Sequence, residues 1–227
     1  KNGLDFYFLS LARAQTFVHF LQSAAPMRVR TTQKFVSVDV KSNTANLKHT
    51  LTCDVVPLCR DDLVLIHKSA KAKLAGRLAI VTKLAAGVIH LVDASPKREN
   101  LADSQMEVAA DFYYMNEKYF TVLLSSHRLA RFVALDVDLC DTKDSSSSSN
   151  PIYQGPANGV EKYALADVQV ARESSGFDEL LHTVSHLGHL LNAGDTVLGY
   201  DLGTTIGGDW ELETSLSSNF EFPDVVL

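Results

Sequence analysis

The sequence predicts an α+β protein: a small α/β module followed by small β-barrels. Three observations carry this expectation. One helical pattern stands among strand-like alternation within about the first fifty residues. From Asp62 onward, short apolar runs recur roughly every eight to twelve residues, a spacing that favours small barrels over a doubly wound sheet. The chain of 227 residues, 46% apolar and 21% charged, shows no apolar run near the ~20 residues of a membrane-crossing helix. It also shows no repeat at the roughly 20 to 50 residues of solenoids or propellers. That composition excludes a disordered chain, and the length allows one large domain or a few small ones.

Taken in order, Leu4 to Leu9 reads as a strand. Ser10 can cap a helix running to about Gln22, with Leu11, Ala14, Phe17, Val18 and Leu21 at helical spacing and Pro26 closing the segment. Lys34 to Val40 alternates, with Val36, Val38 and Val40 on one face and Ser37 and Asp39 on the other. Leu47 to Val56 alternates again, and Ser42 to Asn46 is turn chemistry, so the two runs form a hairpin. Strand-like runs follow at Leu63 to Ile66, Leu78 to Leu84, Val88 to Val92, Tyr119 to Leu124 and Phe132 to Leu139. Asp141 to Gly159, with five consecutive serines, two prolines and two glycines, reads as a long loop. Its serines beside Asp141 and Asp144 offer a kinase target, although plain loop chemistry suffices to explain them. Strands resume at Tyr163 to Val170, around Leu180 to Val184, and at Thr196 to Leu202.

The formal net charge of −6 argues against a nucleic-acid partner only while it is averaged over the whole chain. Residues 1–98 hold 15 Lys+Arg against 6 Asp+Glu, a balance of +9, while residues 99–227 hold 6 against 21, a balance of −15. Such asymmetry points to nucleic-acid or membrane contact by the basic part. The cations cluster. Arg28, Arg30 and Lys34 form one group, Lys41 and Lys48 flank the hairpin turn, and Lys68, Lys71, Lys73, Arg77 and Lys83 form another. Lys68 to Arg77 joins two strand-like runs and contains no acid, so no local pairing neutralises it. A loop of that kind suits RNA phosphates, with binding that falls steeply as salt rises. No aromatic is interleaved with these lysines, so backbone and shape, not base sequence, is the expected object of recognition.

Three cysteines, Cys53, Cys59 and Cys140, have no C-x-x-C spacing, so neither a disulfide framework nor a zinc site follows. Cys53 falls in phase with Leu51 and Val55 and reads as a reduced thiol in the core. The chain starts at Lys1 and has no signal-peptide pattern, which reads as a piece of something longer. His182, His186 and His189 would share one face of a helix and could seat a metal there. No His-Glu-x-x-His is present and Gly188 weakens such a helix, so a strand and its following turn is the favoured setting. Gly194 and Asp195 read as a tight turn and not as a catalytic acid. There is no G-x-S-x-G elbow, and Gly203, Gly207 and Gly208 match no nucleotide-binding loop. A barrel hydrolase using the three histidines as metal ligands is the alternative from another class.

Specific strings carry a resemblance. Gly3-Leu4-Asp5-Phe6-Tyr7, Phe20-Leu21-Gln22, Ser42-Asn43-Thr44-Ala45-Asn46-Leu47-Lys48, Val55-Val56-Pro57-Leu58-Cys59 and Ile89-His90-Leu91-Val92-Asp93 resemble the central part of the nuclear export adaptor of the large ribosomal subunit, the nonsense-mediated-decay protein three family. The longest such string runs from Ser185 through Gly188, Asn192 and Gly194 to Leu202, with Pro223-Asp224-Val225-Val226-Leu227 following. The region Leu101 to Glu161 diverges.

The resemblance implies a partial α/β ribosomal-protein-like module over residues 1–52 and an SH3-like barrel over 53–126. An OB-like barrel over 127–227 would carry a flexible insertion at 141–159, the two barrels joined as in translation factor five A. It implies a non-enzymatic ribosome biogenesis factor that binds the large-subunit precursor across the tRNA exit site, near the L1 stalk, and supports its nuclear export and cytoplasmic maturation. Implied partners are large-subunit rRNA, through Arg28, Arg30, Lys34, Lys41, Lys48, Lys68, Lys71, Lys73, Arg77 and Lys83, and ribosomal proteins near that site. An exportin and a maturation GTPase would be reached through the full-length protein. No membrane is involved, and the protein would shuttle between nucleus and cytoplasm. The four C-x-x-C pairs of the family's zinc region and its export signals are not in these residues, so no cofactor is expected in this segment. The Lys68 to Arg77 loop is similar in position to the modified-lysine loop of translation factor five A but lacks the sequence context for that modification. The acidic half would face a basic protein or avoid the rRNA. A translation factor acting on mature ribosomes is a further alternative that sequence does not separate from an assembly factor.

Overall fold

The computed structural model describes residues 3–39, 44–85, 87–94, 104–140, 164–175, 179–205, 215–216 and 223–227. Helix α1 (Leu11–Ala24) is followed by β1 (Met27–Asp39) and β2 (Thr44–Val55), which pair antiparallel as a two-stranded ribbon. Ser10 occupies the N-cap position of α1, but its hydroxyl makes no capping bond. The helix packs on β2 and buries Val18. Leu4 to Leu9 forms no strand, contrary to its alternation. Phe6 and Phe8 rest one side against Phe17, at ring separations of 5.1 and 5.4 Å, and the whole stretch from Leu4 to Leu9 stays exposed.

The ribbon begins seven residues earlier than the sequence alternation suggests, because Thr31 and Thr32 extend it through a polar stretch. A β-bulge between Phe35 and Ser37 leaves Val36 unpaired and interrupts the simple alternation expected from Val36 onward. Val36 is exposed, and Val40 lies outside the described residues, as does the turn residue Lys41. Cys53 is half-buried and Val55 exposed, so this stretch of β2 is not the core strand its phase implied. Burial pushes the Cys53 thiol up, with Asp54 adding to the effect.

The second sheet contains β3 (Leu63–Ile66), β4 (Arg77–Ala85), β5 (Val88–Asp93), β6 (Gln105–Ala109) and, after helix α2 (Ala110–Met115), β7 (Phe120–Leu124). Its order is β6-β5-β4-β3-β7, with every pairing antiparallel. The third sheet runs β10-β9-β8-β11-β12. Its strands are β8 (Ala130–Leu139), β9 (Ala166–Arg172), β10 (Leu180–Ser185), β11 (Thr196–Asp201) and, after the single turn α3 (Leu202–Thr205), β12 (Val225–Val226). The loop Asp141 to Gly159 and the expected strand start at Tyr163 lie outside the described residues.

Strand β3 reads as four consecutive apolar residues because both of its faces are buried. Val64 and Ile66 point into a core with Leu74, Val81, Ile89, Leu91 and Phe120. Leu63 and Leu65 point the other way, onto Tyr200 and Val226 of the third sheet and Leu202 of α3. The two sheets therefore share a core. Tyr200 closes it by donating its hydroxyl hydrogen to the carbonyl of Asp61 at 2.5 Å. Burial, followed by the charges of Asp62 and Asp61, pushes that phenol up to about 12. Asp61 adopts a left-handed φ of 66°, which Asp tolerates better than most residues. The carboxylate of Asp62 accepts the N–H groups of Cys59 and Ser126 at 2.7 and 3.2 Å, fastening the entry of β3 to the turn that leads to β8. Gly199 is needed for the close approach of β12, since a Cβ there would lie 2.7 Å from the Val226 carbonyl oxygen.

Candidate nucleic-acid interface

Of the ten cations singled out from sequence Lys41 lies outside the described residues, and the other nine do not form one patch. Alternation along β1 and β2 puts Arg28, Arg30, Thr32 and Lys34 on the same ribbon face as Asp54, Thr52, Thr50 and Lys48, in directly opposed pairs. At the base of this face Asp54 accepts from Arg28 at 3.3 Å and from Arg30 at 2.7 Å. Burial raises the Asp54 carboxyl, but the hydrogen bonds and charges of the two arginines outweigh it and hold it below its ordinary value. Arg28 also stacks 4.2 Å over the ring of Tyr114, and the Tyr114 hydroxyl donates to the Val55 carbonyl at 2.7 Å. Arg28 is thus a joint between the ribbon and α2. Two arginines on one carboxylate leave one positive charge uncompensated, and Arg30 is the more exposed of the two.

Further out, Lys34 stands directly opposite Lys48. Both are exposed, and among the described residues neither has an acidic partner. Opposed like charges destabilise a ribbon unless an anion lies between or above them. On the other face, one residue along, Phe35 opposes Leu47.

The segment between β3 and β4 is held by buried Ala70 and Leu74 and by the Gly76 N–H bonded to the Ile66 carbonyl at 2.8 Å. Its backbone is fixed further by the Lys68 N–H to the Ser215 carbonyl, also at 2.8 Å. Lys68, Lys71 and Lys73 are exposed along it. Arg77 is in a different setting: its guanidinium meets Asp93 at 2.8 Å, and the Asp93 side chain is fully buried. An acid 16 residues away in sequence supplies the neutralisation that the local stretch lacks. Lys83 is exposed on β4 opposite His90, whose Nδ1 lies 3.3 Å from Glu107 on the next strand.

The three histidines share no helix. His182 is in β10, His186 just beyond its end and His189 in the turn that follows. Burial pulls the His186 imidazole down. Among the described residues no group of three His, Cys, Asp or Glu side chains is placed to hold a metal ion. Gly188 sits where a Cβ would come within 2.7 Å of Leu139, which is a packing role. Asn192 to Asp195 is a turn, with the Asn192 N–H bonded to the Asp195 carboxylate at 2.9 Å and Gly194 at φ 95°. The threonine rows of the ribbon, Tyr114, and the exposed pair Phe35 and Leu47 were not singled out from sequence. Strand alternation extended back to Met27 would have found the threonines, whereas the approach of Tyr114 is purely tertiary.

Two domain families match this chain. The family described as the NMD3 OB-fold domain matches residues 129–227, and the one described as NMD3, second domain, matches residues 1–55. A 60S ribosomal export protein nmd3 of Schizosaccharomyces pombe is 37% identical over 207 residues, covering 90% of this chain and 36% of the relative. The Dictyostelium discoideum protein of that description is 31% identical across 100% of this chain and 38% of its own length. The human one is 30% identical across 100% and 42%. The chain thus spans about two fifths of the length of the curated relatives it matches.

Proposed function

The chain belongs to the NMD3 family, and from that premise we propose that it is the ribosome-holding segment of a 60S ribosomal export protein. In this reading it binds the precursor of the large subunit at the tRNA exit site and L1 stalk through rRNA phosphates and neighbouring ribosomal proteins. It does so without catalysis, while the full-length protein engages an exportin and a maturation GTPase and shuttles between nucleus and cytoplasm. Residues 1–52 act as an α/β ribosomal-protein-like module, 53–126 as an SH3-like barrel and 127–227 as an OB-like barrel, paired as in translation factor five A. The shared core beneath β3 supports treating the two barrels as one rigid unit.

The observation that carries the reading is the division of the cations. Arg28 and Arg77 are engaged in ion pairs that hold the fold. Lys34, Lys48, Lys68 and Lys71 project from the ribbon and from the loop before β4 with no acidic partner among the described residues. Unpaired lysines on an anchored backbone are suited to phosphates, and the counterions they displace give affinity that weakens with salt. Residues 99–227 carry a balance of −15, which disfavours contact with rRNA, so this part of the chain turns to protein or solvent.

The test is cosedimentation of the chain with purified precursor and mature large subunits. Binding that favours the precursor, and that is lost when Lys34, Lys48, Lys68 and Lys71 become Glu, is the expected result. Equal binding to mature subunits would favour a translation factor, and binding unaffected by the reversals would remove the rRNA assignment.

A further inference from the structure

The outer end of the ribbon has a property that phosphate binding alone does not use. Lys34 and Lys48 point to one face, and the next pair inward toward the turn, Phe35 and Leu47, points to the other. Phe35 is 56% exposed and Leu47 42%, and the bulged residue Val36 adds a further 56% exposed side chain next to them. Bulges re-aim side chains where a strand serves a partner. Phe35, Val36 and Leu47 group exposed apolar side chains at one place, on the ribbon that carries two unneutralised lysines across its other face, and such a group marks a surface that a partner covers. The charge beside it names the covering class, since an RNA strand brings both phosphates for the lysines and flat bases for the ring.

We propose that the tip of the β1–β2 ribbon is an RNA clamp: Lys34 and Lys48 hold phosphates on one face, and Phe35, backed by Leu47 and Val36, stacks on an unpaired base on the other. This rests on the rRNA reading above and deepens it. Because the two contacts lie on opposite faces, a continuous rigid duplex can satisfy only one of them. The RNA that fits is one with unpaired nucleotides, at a bulge, loop or end, whose strand can pass around the ribbon. Thr32 and Thr50, opposed between the Lys34–Lys48 pair and Arg30, extend the phosphate face with hydroxyls. Base stacking on an aromatic tolerates any sequence, so the clamp selects unpaired structure and not a base identity.

Two RNAs test it with the 227-residue chain: a blunt duplex, and the same duplex carrying a bulge of unpaired nucleotides. The wild-type chain is expected to prefer the bulged RNA. Lys34→Ala with Lys48→Ala should weaken binding to both and flatten the salt slope by about 1.4 to 1.8, the contribution of two phosphates. Phe35→Ala should cost about tenfold on the bulged RNA only, with the salt slope unchanged. Phe35→Trp should restore the preference, and its added fluorescence should be quenched by the bulged RNA. The clamp is overturned if the chain binds RNA through Lys34 and Lys48 while Phe35→Ala leaves the preference intact and Phe35→Trp is not quenched. No salt-dependent binding to either RNA would instead remove the underlying rRNA reading. Loss of self-association in Phe35→Ala, with RNA binding unchanged, would assign the patch to a second copy of the chain and overturn the clamp.

Discussion

Strand β3 and the β1–β2 ribbon use the same strand geometry for opposite ends. β3 is four residues long and buried on both faces, so each of its side chains is fixed by packing in one of two cores. The ribbon strands are 13 and 12 residues long, two-stranded, and exposed over most of their length. An isolated two-stranded ribbon is marginal in water, and this one is held at its base by α1, by Asp54 with its two arginines, and by Tyr114. The difference teaches where to look for function. In the packed sheet the Arg77 guanidinium is held by the buried Asp93 carboxylate, whereas Lys34 and Lys48 on the ribbon have no acidic partner among the described residues.

That contrast breaks most visibly in the core. Leu65→Ala, which opens a hole between the two sheets, should destabilise the chain by about 3 kcal/mol in denaturant unfolding. Next in size is Arg77→Met. It takes the guanidinium away from the buried Asp93 carboxylate and should cost about 2 kcal/mol, less than for a fully buried pair because Arg77 is partly exposed. The salt slope of RNA binding should not change in that variant, which separates Arg77 from the lysines. Tyr200→Phe, which removes only the bond to the Asp61 carbonyl, should cost about 1 kcal/mol.

The His186 imidazole gives a pH test of the same sheet. Because burial holds its folded value below that of the unfolded chain, the unfolded state takes up protons first as pH falls. Stability from this site is complete above the ordinary histidine range and declines on acidification below it, and His186→Gln should flatten the decline measured by thermal unfolding. The smallest effect belongs to the ribbon: Lys34→Ala and Lys48→Ala should each shift stability by no more than about 0.5 kcal/mol, and jointly stabilise if their repulsion is felt.

The legibility of the sequence follows the same line. β3, β4 and β5 were evident because burial made their apolar runs dense or regular. β6 was not, since only Val108 among its five residues is buried and its strand character comes from pairing with β5. The stretch Leu4 to Leu9 reads as a strand but has no ladder among the described residues, and its Phe6 and Phe8 rest on Phe17 of α1 while Tyr7 stays exposed. The bulge at Val36 is invisible to a period-two count, which assumes that every residue is paired. In the candidate site the cations were legible by composition, and their roles were not. Asp93 and Tyr114, which claim Arg77 and Arg28, lie 16 and 86 positions away in sequence.

The division between structural and RNA-facing cations is tested most directly by the salt dependence of binding to purified large-subunit rRNA. Log affinity against log salt should be linear for the wild-type chain. Lys34→Ala, Lys48→Ala, Lys68→Ala and Lys71→Ala combined should reduce the slope by about 3, within the roughly 0.7 to 0.9 expected per phosphate contact. An unchanged slope in that variant, or an equal reduction from Arg77→Met alone, would contradict it.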